Sequence, residues 1–147
     1  MCSGKTHDSI TYLTAPLVGG LCFAVTNDID QTLLFTGSFL FSGLMFGPDL
    51  DCKSIQTKRW GQLRWIWKPY QHLIPCHRHP LSHGFLLGTI VRLLYMSPVI
   101  YLICVSFEIP FSWTIASLIF WGLETGAMSH SIADQLCTNY KKLTRRK

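Results

Sequence analysis

The sequence predicts an all-α fold: an integral membrane helical bundle of about four spanning helices with a long cytoplasmic connection. Three observations carry this expectation. Hydrophobic residues make up 48% of the 147 and charged residues only 14%, against roughly 25% charged in a soluble domain. The charges fall in a few stretches, leaving long uncharged runs between them. The basic residues lie beside those runs and among tryptophans, so the net charge of +5 points to anionic lipid headgroups and not to nucleic acid. At this length residues 1–147 are expected to form a single domain.

The first run, residues 10–26, is near the lower length limit for a spanning helix. Asn27, Asp28, Ile29 and Asp30 supply a tight acidic turn before a second run, residues 31–47. The two read as a helical hairpin in which Gly19, Gly20, Gly37, Ser38, Ser42 and Gly43 permit close helix approach. Two false leads lie at the start of the chain. Ser3-Gly4-Lys5-Thr6 ends like a phosphate-binding loop, but the leading glycine and the preceding strand are missing. The first run also lacks a clear cleavage site for a signal peptide.

A polar connection follows, from Pro48 to His83, carrying six cations. Its middle, residues 59–70, interleaves Arg59, Arg64 and Lys68 with Trp60, Trp65, Trp67 and Tyr70. Aromatic rings favour the headgroup level and long cations snorkel to it, so a short interfacial helix ending at Pro69 is expected; His72 is read as part of this interfacial segment. The third run, residues 84–107, contains Arg92 and Pro98. The fourth, residues 111–129, contains Glu124 and is followed by His130 and Asp134. Structural roles are expected for Arg92 and Glu124. The tail from Lys141 is basic. The six cysteines show no Cys-x-x-Cys spacing and read mainly as small buried hydrophobes.

Four spans place both termini on one side. Lys and Arg number one before the first span, six in the long connection, five in the tail and none in the turns near residues 28 and 109. The asymmetry assigns the termini and the connection to the cytoplasmic face of the cell membrane. His7-Asp8, Asp49 with Asp51, the stretch His77-Arg78-His79-Pro80-Leu81-Ser82-His83, and His130 with Asp134 then emerge on one face. Imidazole and carboxylate together suit zinc, manganese or iron, and His130 and Asp134 share a helix face at a four-residue interval. The aspartates beside an apolar helix end are costly near lipid unless a cation or a basic partner neutralises them; solvated aspartates in a helix-ending turn are the other reading. The grouping is therefore read as one divalent metal site, with zinc first and two or more ions allowed.

Motif order adds a resemblance. Ser3 to Asp8, Gly43-Leu44-Met45-Phe46-Gly47-Pro48-Asp49-Leu50-Asp51, His77-Arg78 followed by Ser82-His83-Gly84, and Gly126 to His130 with Asp134 resemble an uncharacterised family of metal-binding membrane proteins across essentially the whole chain. That family is similar to membrane-bound metal-dependent hydrolases, which share a Pro-Asp-x-Asp turn, a His-Arg…His pair and a terminal His-x-x-x-Asp. More distantly, the ligand order is similar to that of zinc phospholipase C and zinc single-strand nucleases. The resemblance implies His7, Asp8, Asp49, Asp51, His77, His83, His130 and Asp134 as metal ligands and leaves His79 in a supporting role. Arg78, between two of these ligands, would be the catalytic group that stabilises an anionic substrate, or else a partner holding Asp49 or Asp51. Two functions share this inventory: hydrolysis of a phosphoester or lipid-like substrate, and non-catalytic metal sensing, storage or transfer. A transporter is disfavoured because the polar groups gather at one end and not at the midplane.

Overall fold

The computed structural model describes residues 3–144. Cys2 and the end of the basic tail lie outside the described residues. Among the described residues the chain is all-helical, with seven α-helices, α1 (Gly4–Thr26), α2 (Ile29–Leu44), α3 (Ile55–Arg59), α4 (Trp67–Leu73), α5 (Pro80–His83), α6 (Leu87–Ser106) and α7 (Trp113–Thr144), and 3-10 turns at Pro48–Asp51 and Gly61–Ile66.

Helix α1 begins six residues before the apolar run does, because Ser3 caps it by accepting from the Thr6 amide, and capping by a serine hydroxyl fixes a helix start. The early start carries His7 and Asp8 onto the helix. Asn27 ends it in the left-handed conformation, φ 48°, which asparagine tolerates. Asp28 then opens α2, its Oδ1 accepting from the amides of Asp30 and Gln31 at 2.9 and 3.0 Å. The expected hairpin is thus closed by one residue of each capping type.

Small residues set the packing, though not all those the sequence suggested. A Cβ on Gly43 would sit 2.5 Å from the Thr11 methyl of α1, and Gly19 faces Thr36, whereas Gly20 and Gly37 look onto open space. The most extensive helix packing is between α2 and α7. Added Cβ atoms on Gly122 and Gly126 would lie 2.6 and 2.5 Å from the Phe35 and Phe39 carbonyls, and Ser42 Oγ donates to the Leu123 carbonyl at 2.6 Å. These two glycines, one turn apart, form a small-xxx-small face that seats α7 on the backbone of α2.

The segment 59–70 departs from its expected form. Pro69 lies in the first turn of α4, where its missing N–H is harmless, so it helps begin the helix and does not end it. Trp67 and Tyr70 are fully buried and join Phe46, Leu50, Ile74, Met96 and Leu123 in the core. Trp60 Nε1 donates to the Met45 carbonyl at 2.9 Å, and Trp65 alone of the three tryptophans is strongly exposed. Cys76 is also exposed, contrary to the reading of the cysteines as buried.

Three stretches, Gly4–Thr26, Ile29–Asp51 and Leu87–Ser106, are long and apolar enough to cross a membrane, with only 11%, 39% and 22% of their apolar windows buried within the protein. Large apolar side chains such as Leu13, Val25, Leu94 and Leu102 face outward, which is compatible with insertion into lipid. The expected fourth run is one part of the 32-residue α7, which is not among these three stretches. Its Gly122, Leu123, Glu124, Gly126 and Ala127 are buried against the other helices.

Candidate metal centre

Five segments converge at one end of the bundle: the start of α1, the Pro48–Asp51 turn, the loop before α5, α5 itself and the middle of α7. Helix α7 contributes His130 and Asp134 one turn apart, both 4% exposed. The turn after α2 contributes Asp49 and Asp51, α5 contributes His83, and α1 contributes the buried His7.

Asp49, His83 and His130 form one convergence. Asp49 Oδ1 stands 3.2 Å from His130 Nε2 and 3.6 Å from His83 Nε2. All three atoms are buried, and none has a hydrogen-bond partner. Buried polar atoms are almost always paired, so three such atoms facing one another suit a common partner. The 3.2 and 3.6 Å separations are compatible with ligands that share one small divalent ion. Such ligands aim their lone pairs at a shared centre and not at one another, which accounts for close contacts that fail as hydrogen bonds. A divalent ion therefore fits this donor set.

Hydrogen bonds behind the site orient His83 and His77. Ser82 Oγ lies 2.7 Å from Asp51 Oδ2 and 2.9 Å from His83 Nδ1. A carboxylate can only accept, so Ser82 donates to Asp51 and accepts from His83 Nδ1–H, which leaves His83 Nε2 with a bare lone pair. Asp51 Oδ1 likewise takes a hydrogen bond from His77 Nδ1 at 2.9 Å, freeing His77 Nε2, which is buried and unpartnered. Asp51 Oδ2 also accepts from the Arg78 amide at 3.3 Å. Both oxygens of Asp51 are thus engaged in orienting imidazoles.

A second group comprises His7, His130 and Asp134. His7 Nε2 is 3.3 Å from Asp134 Oδ1, and the His7 and His130 rings stack at 3.8 Å. His130 belongs to both groups, so the two adjoin. A third group joins Asp51, His77 and Cys52. Burial, followed by the charges of Asp49 and Asp51, pushes the Cys52 thiol up to about 12. The thiol lies 3.5 Å from the Asp49 carbonyl, to which it donates weakly.

Asp8 departs from the set that the resemblance implied. Its two oxygens accept from Nη1 and Nη2 of Arg59 at 2.9 and 2.5 Å, and it belongs to none of the three groups. One residue after His7 on a helix, it points about 100° away. His79 caps α5, its Nδ1 accepting from the Leu81 amide. His72 is exposed on α4.

Arg78 adopts a left-handed backbone, φ 66°, a strained state for a residue with a side chain. Its Nε and Nη2 both donate to Asp134 Oδ2, at 3.1 and 2.6 Å. The side chain nevertheless keeps a third of its surface exposed and lines an open cavity of about 470 Å³ together with His83, Asp134, Ser131, Gln135 and Asn139. Beneath the site lie two buried charged side chains, Arg92 and Glu124. Arg92, fully buried, donates to the Ser82 carbonyl at 2.8 Å and to Thr89 Oγ1 at 2.9 Å. Glu124 Oε1 accepts from the amide of Leu86, itself at φ 57°.

The fold and donor geometry define an all-helical protein with clustered histidine and aspartate side chains arranged as metal ligands. The chain belongs to the family described as uncharacterized metal-binding protein (DUF2227), which matches residues 2–119. His130 and Asp134 lie beyond that match, and the folded chain brings them to the residues within it. No curated protein and no solved structure matches the chain.

Proposed function

We propose that the protein is a metal-dependent hydrolase acting on a phosphoester or lipid-like substrate at the cytoplasmic face of the cell membrane. Asp49, His83 and His130 would hold one divalent ion, with zinc first and manganese or iron as alternatives. His7, His130 and Asp134 would hold a second. When bound, such ions supply Lewis-acid activation of water and of a phosphoryl oxygen.

The observation that carries the proposal is the cavity where Arg78, His83 and Asp134 meet. A substrate entering there would meet the two candidate ligands on one wall and a guanidinium on another. Arg78 would shift its donors from Asp134 to an anionic oxygen and orient it by charge-assisted hydrogen bonds. Ser131, Gln135 and Asn139 offer neutral polar groups to the rest of the substrate. The outward apolar faces of α1 and α6 support a lipid setting, and the cation distribution supports cytoplasmic termini.

One observation favours the alternative, a non-catalytic metal-binding role: Nε and Nη2 of Arg78 are both engaged by a single oxygen of Asp134, as for a residue that holds a ligand in place. Hydrolysis of a chromogenic phosphodiester by metal-loaded protein, with metal content measured on the same sample, separates the two. The hydrolase reading expects turnover that Arg78→Ala abolishes while ions stay bound. Metal-loaded protein with no turnover on phosphomonoester, phosphodiester or phospholipid substrates would leave the binding reading.

A further inference from the structure

The six cations of the connection between α2 and α6 divide into two kinds. Arg59 and Arg78 each lie on an aspartate, Asp8 and Asp134. The other four, Lys53, Lys58, Arg64 and Lys68, line one cavity of about 550 Å³, with no acidic side chain on its walls. All four are exposed, and none makes an ion pair among the described residues. Four like charges around one cleft repel, and an anion seated among them would relieve that repulsion.

The walls are also built. Gln71 Nε2 donates to the carbonyls of Leu50 and Cys52, both at 3.1 Å. Thr57 Oγ1 donates to the Cys52 carbonyl at 2.7 Å. These bonds tie the cleft to the turn that carries Asp49 and Asp51, on an element anchored in the core by Trp67 and Tyr70. Trp65, 61% exposed, lines the same cleft and offers an amphipathic ring of the kind found at headgroup level.

We propose that this cleft is a second binding site, separate from the metal centre, for a phosphate-rich anion: the phosphorylated headgroup of an acidic phospholipid, or a soluble polyphosphorylated molecule. Lysine ammonium groups and a guanidinium at the wall match phosphate oxygens in charge and in hydrogen-bond donors. The site stands independently of whether the metal centre hydrolyses anything.

The test is calorimetric titration of the purified full chain in neutral detergent with two probes, inorganic tripolyphosphate and phosphatidic acid in mixed micelles. Both are expected to bind more weakly, by about tenfold or more, in the triple variant Lys53→Gln/Lys58→Gln/Lys68→Gln. The matched variant Lys5→Gln/Lys141→Gln/Lys142→Gln, which removes equal charge elsewhere, is expected to retain binding. Tighter binding of tripolyphosphate assigns a soluble ligand, and tighter binding of phosphatidic acid assigns the lipid. Arg64→Gln, a single change at an exposed side chain, is expected to weaken binding in the same direction if the triple variant does not fold. Absence of binding by both probes, or equal losses in the two triple variants, would overturn the proposal.

Discussion

His130 Nε2 stands 3.2 Å from Asp49 Oδ1, and neither buried atom has a hydrogen-bond partner. Eighty-one residues apart, the two meet because Gly122 and Gly126 let α7 lie directly on α2, whose continuation is the Asp49 turn. The metal-ligand geometry is therefore a product of helix packing as much as of the ligands themselves.

Helix packing can be tested separately from the ligands. Gly126→Leu would force side-chain atoms into the Phe39 carbonyl and Ser42. Overpacking of this kind costs about 1–3 kcal/mol. Thermal unfolding in detergent is expected to move to lower temperature, and metal content to fall with it, although no ligand has been altered.

Asp51 and Ser82 are expected to act through the histidines they orient. Asp51→Asn leaves Asp49, His83 and His130 in place but removes the charge and replaces one of the two oxygens that accept from His77 and Ser82 with a donor. Loss of such support weakens metal affinity by about 10–100-fold. Competition with a chelator of known affinity measures it, and Ser82→Ala is expected to fall in the same direction. Unchanged affinity in both variants would assign Asp51 no part in the site.

Asp8 and Asp134 give opposite expectations despite being implied by the same resemblance. Asp8→Ala removes a partly exposed pair with Arg59, worth about 0–1 kcal/mol, and is expected to leave metal content unchanged. Asp134→Ala removes a buried carboxylate that faces His7 and anchors Arg78. Metal analysis of the two variants side by side checks the distinction.

This contrast marks how far the sequence could be read. The shared helix face of His130 and Asp134 follows from a four-residue interval, and the donor character of Asp49 and His83 from their chemistry beside apolar runs. The hairpin turn was legible because Asn27 and Asp28 have opposite capping preferences. The fate of Asp8 was not, since its partner Arg59 lies 51 residues away and local spacing does not report such pairings. In the sequence Ser82 stands only as part of the Ser82-His83-Gly84 motif, and its hydrogen bonds to Asp51 and His83 appear only in the fold. Trp60, Trp67 and Tyr70 carried a headgroup signature in composition, but α4 turns Trp67 and Tyr70 into the core. Gly122 and Gly126 were legible in principle as a small-xxx-small pair and were obscured by Glu124 between them.

Arg92 offers a test of the support beneath the site. Arg92→Met is similar in length but removes the donors to the Ser82 carbonyl and Thr89, leaving buried acceptors unpaired at roughly 1–3 kcal/mol each. Lower stability is expected together with weaker metal binding, because the Ser82 carbonyl held by Arg92 belongs to the residue that orients His83. Equal stability to the parent protein would show that Arg92 is not holding this loop.

The central claim is that Asp49, His83 and His130 hold a divalent ion. Metal content per chain, measured by mass spectrometry on detergent-purified protein after dialysis against limiting zinc, tests it most directly when His83→Ala and His130→Ala are run beside the parent. The expected result is at least one tightly held ion per parent chain, lost in part in His83→Ala and more completely in His130→Ala, which serves both donor groups. A parent protein that retains no metal, or equal content in all three proteins, would contradict the account.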